Sequence, residues 1–407
     1  MTDFLSDNIK RSNFMRDIVL GVWIAAKYKA GLTLPKRLLD KFGTFENIYR
    51  ASADDYINAG FSISEVSPLL GKSTDYAKGV CEFCANTNTD VILYGDEKYP
   101  KILYDMPDCP LVLFCKGDIS SINKHACVTM VGTRNMTPDG ALIAHRISFE
   151  AASRGAVIIS GFAKGIDTVS HSGALDADGL TVAVLGCGID VEYPLENMQL
   201  KQRILSSKGA VITQFFPTEE PKASNFPIRN KLLSALSHCT AVIEAPLGSG
   251  ALLTASYANA QGKKVYTVPG SIMQPTFEGN NYLLKEGIGA VLDVQDILQG
   301  LSVLFPNTSG IHPPEKEYFI PPELAKAVND MSRGSIGKSK PTVSRADELD
   351  GIHREIYEKI LKGDVRNAEE LVGEGMSLGK TLYVLTQLEA DGFINVIPGG
   401  GYTVKNT

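Results

Sequence analysis

Between Cys127 and Val191, three short apolar runs each end in a glycine-containing loop: VTMVGTR, VIISGFAKGID and VAVLGCGID. An apolar run that breaks at glycine and gives way to helical periodicity marks a β-strand entering a turn and then a helix. In series, such units build a parallel sheet whose loops collect along one edge. Each loop offers backbone N–H groups and the positive end of a helix dipole, so the edge attracts anions. Two of the loops also carry a cation, Arg134 in VGTR and Lys164 in GFAKGID. One such loop is ordinary turn chemistry; three in succession point to phosphate or nucleotide recognition.

A chain of 407 residues is too long for one ordinary core, and 44% hydrophobic with 21% charged residues marks globular rather than unfolded segments. The formal net charge of -6 excludes a surface coated in basic residues, so a polyanion site must be focused. The N-terminus MTDFLSDNIKRSNFMRD lacks the apolar core of a secretory signal, and no segment reaches the length of a membrane span, which makes the cytoplasm the expected location. Seven scattered cysteines suit reduced thiols. Cys81 and Cys84 have the spacing of a zinc pair, but no second Cys/His pair follows and the pattern around them is an amphipathic helix, so core packing is favoured and no metal is expected.

Residues 1–90 show helical periodicity broken by turns, as in TLPKRLLDKFG and TFENIYR, and predict a small helical domain. It is either a sterile-alpha-motif or helix-hairpin-helix relative or a cap on its neighbour. A lead-in segment and a parallel-sheet domain follow over 91–300, with strands near 128–131, 156–160, 181–185, 210–213, 240–244 and 264–268. Residues 301–350 are rich in Pro, Gly and Ser and predict a linker. From 351 to 407, three helical patterns and FINVIPGGGYTV predict a winged helix. Within it, Gly379-Lys380-Thr381 is not a phosphate loop, because position 374 is Glu where that motif needs Gly.

Gly186-Cys187-Gly188 could open a dinucleotide fingerprint, but position 191 is Val instead of Gly or Ala, and Gln214 stands where an acid would hold the ribose. In Phe226-Pro227-Ile228-Arg229-Asn230-Lys231, an aromatic and two cations open a helix, suited to phosphates with a base stacked on the ring; the alternative is a hydrophobic anchor with solvated charges. Gly248-Ser249-Gly250 repeats the strand, glycine loop, helix arrangement, and Lys263 precedes the next strand.

These motifs, with SGFAKGIDTVSH, VLGCGIDVEYPLEN, YTVPGS and EGNNYLLKEG, stand in an order and spacing that closely resemble the bacterial DNA-processing protein A (DprA/Smf) family. The resemblance covers the sheet domain and extends upstream to YPKILYDMPDCPLVLFCKGD. It implies an α/β protein with an extended Rossmann-like parallel-sheet core, an N-terminal small helical domain and a C-terminal winged helix. It also implies a homodimer that binds single-stranded DNA, needs no cofactor, and helps load RecA during natural transformation, without being an enzyme. Carried onto this chain, the DNA-binding residues are Gly132, Thr133, Arg134, Ser160, Gly161, Lys164, Gly165, Phe226, Arg229, Asn230, Lys231, Gly248, Ser249, Gly250 and Lys263. Asp167 is expected to cap a helix rather than act as a base. The chain departs from the family's pattern at Thr213-Gln214, where Ser-Glu is common, and at Leu247-Gly248, where a base often stands.

The competing reading is a nucleotide-processing enzyme, such as a phosphoribohydrolase, with Glu244 and His171 as candidate acid and base. Glu244 precedes its glycine loop instead of following it, which counts against that assignment. A purely structural interaction module is the third reading, and the loop cations argue against it.

Overall fold

In a computed structural model of the chain, residues 2–304, 317–333, 349, 351–361, 368, 371–372, 377–396 and 402–404 are described. Two compact units emerge: Met1–Ser120 with Cys187–Val191 and Ile212–Glu220, and Ser121–Gly186 with Glu192–Val211 and Pro221–Thr407.

The first unit contains α1 (Thr2–Lys27), α2 (Leu34–Phe42), α3 (Phe45–Arg50), α4 (Ala53–Asn58), α5 (Ile63–Leu70) and α6 (Asp75–Asn86). Its short helices are set by local chemistry. Gly43 ends α2 at φ 77°, and Ser52 with Asp55 and Ser62 with Glu65 form capping boxes that start α4 and α5. Trp23 is buried edge-on to Tyr49 at 5.1 Å. The lead-in segment belongs here too: β1 (Asp90–Leu93) pairs antiparallel with β2 (Val112–Gly117). Burial pushes the thiols of Cys81 and Cys84 up to about 11 and about 12, so both pack as protonated groups.

The second unit alternates strand and helix: β3 (Cys127–Val131), α7 (Pro138–Ala152), β4 (Val157–Ser160), α8 (Ile166–Asp176), β5 (Thr181–Val184) and α9 (Met198–Ser206). β6 (Ala210–Thr213) begins in this unit and ends in the first, and after it come α10 (Asn225–Ala235), β7 (Cys239–Val242), α11 (Gly250–Ala260), β8 (Lys264–Thr267), α12 (Glu278–Lys285), β9 (Gly289–Ala290) and α13 (Val294–Leu304). β3, β4, β5, β6 and β7 are buried at every position, which is why each reads as an unbroken apolar or small-residue run. The parallel order is β5-β4-β3-β7-β8-β9. β3 has β4 on one side and β7 on the other, with Val128 opposite both Ile158 and Cys239. Chain connections therefore leave the C-terminal ends of β3 and β7 in opposite directions, and a crevice opens between their loops.

Part of the expected linker is structured. Tyr318 packs edge-on against Phe149 at 5.5 Å and α14 (Pro322–Arg333) lies along α7, so an apolar anchor inside a Pro-rich stretch holds this segment to the sheet domain. The C-terminal module has α15 (Gly351–Leu361), α16 (Leu378–Ala390) and an antiparallel hairpin, β10 (Ile394–Val396) with β11 (Tyr402–Val404). They share a core that includes Ile356, Tyr357, Leu385 and Phe393. Most of the expected middle helix, NAEELVGEG, lies outside the described residues. No described helix is long and apolar enough to cross a membrane.

Candidate nucleic-acid interface

The crevice between β3 and β7 is a shallow cleft, and it gathers the first glycine loop, the start of α10 and the loop before α11. Gly132, Thr133, Arg134, Phe226, Arg229, Asn230, Ser249 and Gly250 all line it, so most of the sequence-derived site converges there. The loops are fixed by backbone contacts. The Thr133 amide donates to the Glu244 carbonyl at 2.7 Å, and Ile166 donates to the Thr133 carbonyl at 3.2 Å. A Cβ on Gly132 would lie 2.8 Å from the Glu244 carbonyl oxygen, and one on Gly165 would lie 2.4 Å from that of Thr133, so these positions need glycine for close approach. Ser249 caps α11, accepting from the Ala251 amide at 3.2 Å.

Arg134 is the partly exposed cation of this cleft, its guanidinium 5.5 Å from the Phe226 ring. Arg229, expected to meet a phosphate, is buried at 5% exposure. It donates from Nη1 to the carbonyls of Val184, at 2.8 Å, and Gly161, and from Nε to Asn230 Oδ1 at 3.0 Å. Its charge also faces Asp167, whose carboxyl is pushed up by burial and drawn back by Arg229. Asp167 accepts from the Ala163 amide at 3.2 Å, so it steadies the second loop; the expected cap on α8 is not formed, because that helix starts from Gly165 with no side-chain cap and Asp167 lies inside its first turn. Arg229 is thus a strut joining α10, β5 and the second loop rather than a free ligand group.

Phe226 is likewise 5% exposed, with Arg229 5.7 Å from its ring, so it offers no open face for a stacked base. Ser160 is buried and donates to the Met130 carbonyl at 2.7 Å. Gly161 is needed because a Cβ would meet Arg229 and Asp167 at 2.6 and 2.7 Å. Lys164 is exposed but ion-paired with Glu196, a partner sequence reading did not pick out. Lys231 is half-buried outside the cleft lining. Lys263 stands before β8, at the opposite edge of the parallel sheet, and donates to the Ser237 carbonyl at 2.6 Å; it closes the end of α10 and is not part of this cleft.

The third glycine loop is also diverted. Gly188 and Asp190 donate their amides to the carbonyls of Glu219, at 2.7 Å, and Pro217, at 3.0 Å. Those N–H groups are used inside the first unit. Sequence reading missed Thr386 and Glu389, which also line the cleft. They lie too far along the chain for any local pattern to connect them to it.

The two candidate catalytic groups are sealed. Glu244 is buried and accepts from the Thr137 amide and hydroxyl at 2.9 and 3.1 Å; burial pushes its carboxyl up. His171 Nδ1 stands 2.7 Å from the Thr181 hydroxyl, whose own proton goes to the Ile158 carbonyl, so the imidazole donates from Nδ1 and is neutral. Burial and then the Arg229 charge hold it down to about 3. Because the folded value lies below the unfolded one, this contribution to stability is complete above the unfolded pKa and is lost as the pH falls. Urea melts should show wild type losing about 2 kcal/mol more than His171→Gln between pH 7 and pH 5. Equal losses in the two proteins would contradict this.

Comparison with known proteins follows the same geometry. The family model described as DNA recombination-mediator protein A matches residues 90–302. Protein Smf of Synechocystis sp. is 28% identical over 393 residues, covering 93% of this chain and 97% of its own length. DNA processing protein DprA of Bacillus subtilis is 35% identical over 212 residues, covering 52% of this chain and 71% of its own. The X-ray structure of DprA from Streptococcus pneumoniae aligns with a TM-score of 0.56 at 28% identity, over 67% of this chain and 98% of that one. With the family model spanning more than half of its residues and the parallel sheet built as that family requires, the chain belongs to the DNA recombination-mediator protein A family, DprA/Smf.

Proposed function

We propose that this chain binds single-stranded DNA along the cleft at the β3/β7 crevice and acts in the cytoplasm as a recombination mediator, serving DNA taken up in natural transformation. The observation that carries the reading is Arg134: it stays partly exposed in an anion-attracting crevice whose other cation, Arg229, is locked in place. Because the contacts are to phosphate, sequence preference is weak and affinity falls with salt. Fluorescence anisotropy with labelled oligo-dT and a duplex of equal length tests this. Tighter binding of the single strand, with a steep salt slope, is the expected result; no binding at low salt would sink the proposal.

A binder suits the site better than an enzyme does, since neither Glu244 nor His171 lines the cleft. Incubation with nucleoside monophosphates should release no base. Two partners follow from the family: RecA, tested by whether the protein speeds RecA assembly on single strands, and a second copy of this chain. For the second copy, Ile272, Met273 and Leu292 are 89%, 84% and 82% exposed near the C-terminal ends of β8 and β9, an apolar surface of the kind subunits bury. Sedimentation should show a dimer that Ile272→Glu with Met273→Glu converts to monomer.

A further inference from the structure

The C-terminal module rests on the loops that form the cleft. Tyr402 of β11 donates its hydroxyl to the Leu247 carbonyl at 2.7 Å. Gly248 has φ 85°, and a Cβ there would fall 1.3 Å from that hydroxyl oxygen, so the chain is bare where the tyrosine lands. Thr386 of α16 lies 3.4 Å from where a Cβ on Gly250 would be, and both Thr386 and Glu389 line the cleft. α16 also packs against α10. Helix α10 and the loop before α11, both of which border the cleft, are therefore each met by the module. Glu389 sets a carboxylate in the same cleft as Arg134.

This attachment is separable. The module has its own apolar core, to which Tyr402 also belongs, distinct from the core of the sheet domain. A second cavity, about 540 Å³ and lined by residues including Leu247, Leu252, Tyr282 and Leu382, lies between the module and α11 and α12. Among the described residues, docking combines the Tyr402 to Leu247 hydrogen bond with packing of α16 on α10 and α11, and a gap remains beside that packing.

We propose that the C-terminal module is a reversible cap on the cleft, its carboxylates standing where DNA phosphates would go, so that strand binding and cap release are coupled. The inference rests on the single-strand reading above. Coupling of this kind lowers apparent affinity by the fraction of molecules left uncapped, and the strand in turn favours the released module.

The test uses full-length protein, labelled oligo-dT, and the variants Tyr402→Phe and Glu389→Gln. Each should bind the strand roughly three- to tenfold more tightly than wild type, the effect of removing one docking interaction. Hydrogen exchange should show Leu247–Ala251 amides exchanging faster in Tyr402→Phe without DNA, and in wild type once oligo-dT is added. If wild type binds and both folded variants bind no better, the cap is wrong and the single-strand reading stands. If no form binds oligo-dT, both fall. Glu389→Gln changes only a half-buried side chain, so it remains informative even if Tyr402→Phe folds poorly.

Discussion

Replacing Arg134 with alanine should weaken oligo-dT binding roughly 10- to 100-fold at low salt, the scale of removing a charge-assisted hydrogen bond to phosphate. The same variant should flatten the dependence of log affinity on log salt by about 0.7 for each phosphate that is no longer neutralised. Its fold should be unaffected, because Arg134 projects from a loop held by its backbone: Thr133 to Glu244, and Ile166 to Thr133. Arg134→Lys should recover the salt slope but only part of the affinity, since an ammonium cannot grip phosphate with two parallel bonds. Anisotropy titrations at several salt concentrations read both quantities. An Arg134→Ala protein that binds as wild type would deprive the cleft of its central anchor and, with it, the proposed mode of binding.

Arg229→Ala should behave differently, although the family resemblance casts both arginines as DNA ligands. Here the expected loss is in folding, about 3–5 kcal/mol, because removing one member of a buried charged network strands Asp167 and the carbonyls of Gly161 and Val184. Denaturant melts should show it directly, and any DNA-binding defect should follow the fraction unfolded. Pairing Arg229→Met with Asp167→Asn removes both charges and should restore much of the lost stability. A stable, folded Arg229→Ala protein that had lost only DNA binding would show instead that this arginine contacts the strand.

That contrast marks where the sequence was legible and where it was not. All six expected strands of the sheet domain stand within a few residues of their expected positions, because strands covered on both faces must be apolar throughout, a local property. Burial of a charge has no local signature. Arg229 and Arg134 each sit near a helix start, and only the Val184 and Gly161 carbonyls, supplied by distant segments, make one a strut. Lys263 was legible in principle: a residue preceding a parallel strand lies at the edge away from the binding loops. The third glycine loop could not have been read, because its amides are taken by Pro217 and Glu219, carbonyls in a segment with no glycine signal of its own. Tyr318 and Phe319 show the same limit in reverse, since two aromatics inside a Pro-rich stretch pack against Phe149 of the sheet domain.

The Phe226 ring lies over Gly186, close enough that a Cβ there would sit 2.9 Å from it. The loop in which Gly186-Cys187-Gly188 could have opened a dinucleotide fingerprint is thus covered by the protein's own side chain. A cell holds abundant mononucleotides, and a good pocket for one would be permanently blocked by them. If a strand binds along the proposed cleft, this covering leaves the chain indifferent to monomers and responsive to length, since only a polymer can add up enough weak contacts to stay bound.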